Sequence, residues 1–185
     1  MPGLSLEQSL TDHLDAMQQV RTLQVPLQQA IALFRTAFAR RGRVFVCGNG
    51  GSAADAQHFA AEFSGRYEKE RRGYPVLALT TDTSALTAIG NDYGYEQVFA
   101  RQVQAVTLEG DVLMLISTSG NSTNLTAAAR VARARGVQTI ALLGRDGGAL
   151  AREVDLSLIV PAQRTARIQE AHIFILHVLC EAFED

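Results

Sequence analysis

Val44-Phe45-Val46-Cys47-Gly48-Asn49-Gly50-Gly51-Ser52 is the stretch that decides the fold class. An apolar run with no polar alternation enters a glycine-rich turn, and residues 52–63 then follow at helical spacing. A strand apolar at every position is buried on both faces, as in a parallel sheet covered by helices. Working outward, the unit repeats. Val76-Leu77-Ala78-Leu79, Val112-Leu113-Met114-Leu115-Ile116, Thr139-Ile140-Ala141-Leu142-Leu143 and Leu156-Ser157-Leu158-Ile159-Val160 read as further strands. Helical stretches are predicted at 84–89, 95–107, 121–135, 148–152 and 165–183. Strand and crossover helix in alternation predict a three-layer α/β fold, a five-stranded parallel sheet flanked by helices.

Residues 6–41 carry apolar positions at helical spacing, among them Leu10, Leu14, Met17 and Val20, then Leu27, Leu33, Phe34 and Phe38. They predict two helices joined near Gln24, with Pro26 in the second helix's first turn and Gly42 as its stop. This pair exceeds what five strands need for cover, so its spare apolar surface is expected to pack in a homo-oligomer. That both helices cap their own sheet is the other reading. The chain is read as one domain over 1–185, with the helical pair at 1–41 and the α/β core at 42–185.

The composition fits that picture. Of 185 residues 47% are hydrophobic and 19% charged, so the chain has a core to bury and is not disordered. A net charge of -2 argues against nucleic acid or an anionic membrane as partner. No apolar run reaches the roughly 18–20 residues of a membrane span, and no secretory pattern opens the chain. Cys47 and Cys180 sit in apolar segments without a disulfide pattern, so a cytoplasmic protein is expected. Lys69 is the only lysine and lies in a charged run, 67–72, that reads as solvated, which argues against Schiff-base and Walker-type chemistry.

Two loops follow strands one and three. Gly48-Asn49-Gly50-Gly51-Ser52 lets backbone approach a ligand and opens a helix whose free N–H groups favour an anion. Ser117-Thr118-Ser119-Gly120-Asn121-Ser122 offers hydroxyls to phosphate oxygens with no cationic side chain. In strand order 2-1-3-4-5 both loops meet at the switch point. The first loop lacks the G-x-G-x-x-G spacing, which disfavours a dinucleotide; two ligand-free turns are the plainer alternative.

His58 and Glu62 are four apart on one helix face, and Gln169, Glu170, His172 and His177 share the last helix. His58 and Glu62 suit zinc, with glutamine a weaker further ligand; alternatively Glu62 is a general base with a histidine as partner acid, or the histidines are structural. Gln169 and His177 are eight residues, about 12 Å of helix rise, apart, which strains ligation of one ion by both unless another chain contributes. His172 reads as core and His13 as a surface helix residue. Asn91-Asp92 is either a sugar-hydroxyl site or a turn pair, and Arg66 either assists a phosphate or pairs with Glu68.

The motifs Cys47-Gly48-Asn49-Gly50-Gly51-Ser52, Thr80-Thr81-Asp82-Thr83-Ser84 with Gly90-Asn91-Asp92, Ile116-Ser117-Thr118-Ser119-Gly120-Asn121-Ser122 and Arg167-Ile168-Gln169-Glu170-x-His172 resemble the phosphoheptose isomerases, of the sugar-isomerase (SIS) fold. The resemblance spans essentially the whole chain. It implies an aldose-ketose isomerase that converts sedoheptulose 7-phosphate to D-glycero-D-manno-heptose 7-phosphate through an enediol, towards nucleotide-activated heptose for lipopolysaccharide or another glycan. It further implies one zinc per subunit on His58, Glu62, Gln169 and His177, with Glu62 and His177 catalytic. Substrate contacts are implied at Asn49, Gly50, Gly51, Glu62, Asn91, Asp92, Ser117, Thr118, Ser119, Ser122 and Gln169, to which the first loop adds Ser52. Homotetramers with sites between subunits are implied as well. Some members carry an aspartate where this chain has Ala166, so an acid role there is excluded. A protein of the same fold that binds a DNA-replication initiator is the alternative, but it lacks the counterpart of His177. A sugar-phosphate-sensing transcription factor would want a DNA-binding domain for which this length leaves no room.

Overall fold

The computed structural model describes residues 5–184, so the outermost ends of the single-domain reading, 1–4 and 185, lie outside the described residues. Five parallel strands, β1 (Val44–Gly48), β2 (Val76–Ala78), β3 (Val112–Ser117), β4 (Gln138–Gly144) and β5 (Leu156–Val160), lie in the order β2-β1-β3-β4-β5. This is the expected doubly wound order, with β1 and β3 neighbours at its switch point. β1 and β3 are buried at every position because each strand feeds two cores. Val44 and Val46 face one; Phe45 and Cys47 face the other.

The first core is closed by α1 (Leu6–Val20), α2 (Gln24–Ala39), α3 (Gly51–Ser64) and α7 (Thr165–Glu181), through Val20, Phe34, Phe59, Phe63, Ile175 and Leu176. The second is closed mainly by α5 (Val98–Val106) and α6 (Thr123–Ala134), with Leu86 and Ile89 of α4 (Thr83–Tyr93) at its margin. Burying each such Leu or Phe contributes about 1.5–3 kcal/mol, so the two cores account for the layered architecture without a disulfide; both cysteines are free.

Several expectations shift locally. A single 3-10 turn, Arg21–Leu23, joins α1 to α2. Residues 148–152 form only a 3-10 turn at Leu150–Arg152, held by Leu150 N–H donating to the Gly120 carbonyl. The stretch 95–107 begins with a 3-10 turn, Tyr95–Gln97, before α5. Asn91 and Asp92 lie in the last turn of α4, which runs beyond the expected 84–89; Asp82 caps its start by accepting from Ala85 N–H at 2.9 Å.

Candidate functional site

The first loop folds as it does because of two glycines. Gly50, with φ +56°, takes the left-handed conformation that reverses the chain into α3. At Gly51 a Cβ would overlap the Gln169 amide as it stands, so any side chain there would turn Gln169 aside. Gln169, on the first turns of α7, therefore lies directly against this loop, and Ser52 is buried behind it. No side chain caps α3; Ser52 N–H donates to the Asn49 carbonyl and Ala53 and Ala54 N–H to the Gly50 carbonyl, which leaves the Gly51 N–H to meet an anion or an oxygen.

The second loop satisfies part of itself. Ser117 Oγ accepts from Gly120 N–H at 3.1 Å and shares a hydrogen with Ser122 Oγ at 3.3 Å, while Ser119 Oγ accepts from Asn121 N–H. Acceptance uses lone pairs, so the Ser119 hydroxyl hydrogen stays free to donate. Ser122 makes no side-chain cap bond, leaving the start of α6 open as well. The hydroxyls thus shape the loop before any phosphate arrives.

On α3 and α7 three donors meet. His58 Nε2 is 3.0 Å from His177 Nε2 and 3.6 Å from Glu62 Oε1. A tetrahedral zinc with bonds near 2.0–2.1 Å sets its donors about 3.3 Å apart, so these separations and donor types fit that ion. As the side chains stand, no group of three or more His, Cys, Asp or Glu is closed into a metal cluster among the described residues. Gln169, the fourth expected ligand, lies against Gly51, two helical turns from His177. Tyr67 packs over the His177 ring at 5.6 Å between centroids.

Other expectations divide. His172 is core, as read: it is fully buried, with Nε2 3.0 Å from the Leu143 carbonyl. His13 lies on the surface of α1, as read, and its Nδ1 pairs with Glu170 Oε2 at 2.8 Å, which helps pin α1 to α7. Arg66 is exposed and makes no ion pair with Glu68 among the described residues. Asn91 and Asp92 are exposed and bonded to each other, Nδ2 to Oδ1 at 2.8 Å. The run 67–72 is not wholly solvated: the Arg71 side chain is 7% exposed and pairs with Glu184 at 3.1 Å.

Three residues at the site escape a reading by motif. Asn124 exchanges two hydrogen bonds with Asn49, whose Oδ1 also accepts from Tyr95 Oη at 3.3 Å. Asp55 lies one turn before His58, and burial pushes its carboxyl up to about 6, opposed in part by His58. Its spacing of three from His58 was the available signal.

A family model described as SIS domain matches residues 9–144. The phosphoheptose isomerase of Aliarcobacter butzleri is 55% identical over 166 residues, 90% of this chain and 88% of that one. Among solved structures, the phosphoheptose isomerase of Neisseria gonorrhoeae superposes with a TM-score of 0.89 at 48% identity, covering 94% of each chain. A phosphoheptose isomerase from Francisella tularensis gives 0.89 at 35% identity, covering 98% of this chain and 99% of that one.

Proposed function

The chain belongs to the SIS-domain phosphoheptose isomerases, and from that membership we propose that it interconverts sedoheptulose 7-phosphate and D-glycero-D-manno-heptose 7-phosphate. The observation that carries the reading is the meeting of Glu62, His58 and His177 on two helices whose other ends meet the open first loop.

In this mechanism Ser117, Thr118, Ser119 and Ser122 hold the phosphate, and binding energy spent there fixes the reacting carbons at the far end. Asn49, Gly50, Gly51, Ser52, Asn91, Asp92 and Gln169 contact the sugar chain. Glu62 removes a proton from C1 of the ketose, and the electron pair becomes the C1–C2 double bond of an enediol as His177 protonates O2. The enediol then loses its O1 proton to His177 and takes a proton from Glu62 at C2, which leaves the aldose. Zinc held by His58, Glu62, Gln169 and His177 would polarise the substrate's carbonyl oxygen. A carboxylate bound permanently to an ion is a poorer base, so ligand and base are competing roles of Glu62.

We place the enzyme in the cytoplasm as a homotetramer, at the entry to nucleotide-activated heptose for lipopolysaccharide or another glycan. Supporting the assembly, α1 leaves Leu6, Leu10 and Leu14 exposed and α7 leaves Phe174 exposed, while the His58 side chain is 47% accessible. A neighbouring subunit would cover such surfaces and close the site.

The test is direct. Incubation with sedoheptulose 7-phosphate, followed by NMR, is expected to show the aldoheptose 7-phosphate accumulate to equilibrium with the ketose. No conversion by folded protein, with or without added zinc, would contradict the reading.

A further inference from the structure

We infer that Asn124 is a positioning residue for this reaction, acting through Asn49 to fix the first loop against the phosphate loop; the inference rests on the proposed isomerase reading. Asn49 Nδ2 donates to Asn124 Oδ1 at 2.9 Å, and Asn124 Nδ2 donates back to Asn49 Oδ1 at 2.8 Å. The two residues are 75 positions apart in the chain, one in the turn after β1 and one in the first turn of α6. Among the described residues these are the only side-chain hydrogen bonds that join the first loop to the second loop and its helix.

The arrangement has the marks of a built brace. Asn124 is 3% exposed, so its amide has no water to turn to if Asn49 moves. A reciprocal amide pair fixes two distances and the plane of both groups, where a single bond would leave rotation free. Tyr95 Oη, donating to the same Asn49 Oδ1, restrains that amide from the side of the Tyr95–Gln97 turn. Each amide spends one N–H in the pair, which leaves Asn49 one Nδ2 hydrogen for a substrate hydroxyl. The pair therefore sets how far the sugar-contacting loop stands from the phosphate-binding hydroxyls. That separation decides which carbons of an anchored sugar phosphate reach Glu62.

A double-mutant cycle tests this, because a residue acting only through Asn49 has nothing left to do once Asn49 is truncated. Asn124→Ala is expected to lower kcat/KM for sedoheptulose 7-phosphate at least tenfold in the otherwise unchanged protein. In the Asn49→Ala background it is expected to lower it by less than twofold. The inhibition constant of inorganic phosphate, which in the proposed reading is held by the second-loop hydroxyls, should stay within twofold throughout. Were Asn124→Ala not to fold, Asn124→Asp, which keeps the volume and one acceptor, would be read on the same cycle. Losses that multiply across the cycle, or a single variant within twofold of the parent, would overturn the inference while leaving the isomerase assignment intact. An unsubstituted protein without isomerase activity would overturn both.

Discussion

His172 and His177 sit five residues apart on one helix and meet opposite environments. His177 is half-buried beside His58 and Tyr67, while His172 is fully buried against β4. Burial is the main cause that lowers the His172 imidazole to about 4, with its bond to the Leu143 carbonyl opposing, and among the described residues its buried Nδ1 has no partner. The neutral form is therefore built into the fold. An unfolded histidine takes up its proton near pH 6.5 while the folded one resists until about 4, so the unfolded state binds more protons in that window. Stability is full above pH 6.5 and declines as pH falls towards 4, by about 3 kcal/mol from this group. Urea unfolding at a series of pH values checks it: His172→Gln, which keeps a donor for Leu143, should lose that part of the slope. An unchanged slope would show that the imidazole charges in the folded protein.

At the scale of elements, the end of α3 is held from outside. Arg71 donates to the carbonyls of Glu62 at 2.8 Å and Phe63 at 3.0 Å, while its Nε pairs with Glu184 just after α7. Glu184 Oε2 also accepts from the Glu68 and Lys69 N–H groups, so one carboxylate ties the 65–73 connection to both α3 and α7. Arg71→Met leaves that carboxylate without its cation and takes the Arg71 donor from the Glu62 carbonyl, while the Phe63 carbonyl keeps the Tyr74 N–H. A melting temperature lower by roughly 5–15 °C is expected by calorimetry, with a loss of activity that follows the fold. An unshifted transition would rule out the strut. This junction also marks where sequence reading runs out. The inner strands β1, β3 and β4 were legible because parallel strands buried on both faces are apolar nearly throughout, the edge strands β2 and β5 because their runs are apolar although partly exposed, and the first loop because a glycine run between strand and helix has few other uses. Arg71 looked like solvent-facing charge because its partner lies 113 residues away. Asn124 was hidden for the same reason, and residues 148–152 looked helical because nothing local shows Gly120 capturing Leu150.

For the whole molecule, the topology brings distant segments to one edge of the sheet. The loops after β1 and β3 meet because those strands are neighbours, and α7 crosses behind to bring Gln169 to one loop and His177 to His58. A cavity of about 760 Å³ lined by Phe38, Arg41, Arg71, Arg72 and Tyr74 lies instead at the amino ends of β1 and β2, away from these loops. Of the expected site, the two loops meet and His58 meets both Glu62 and His177, while Asn91 and Asp92 stand exposed on α4 and bond to each other. In the proposed reading, a phosphate held at one end leaves a carboxylate and an imidazole to move protons at the other. The measurement that tests this most directly compares the unsubstituted enzyme with Glu62→Gln in deuterated water, following turnover and carbon-bound deuterium in the heptose phosphates by NMR. The predicted result is deuterium entering at the reacting carbons with the unsubstituted enzyme, and both turnover and exchange falling about 10²–10⁴-fold in Glu62→Gln while inorganic phosphate still binds. Turnover by Glu62→Gln at the rate of the unsubstituted enzyme would contradict the account.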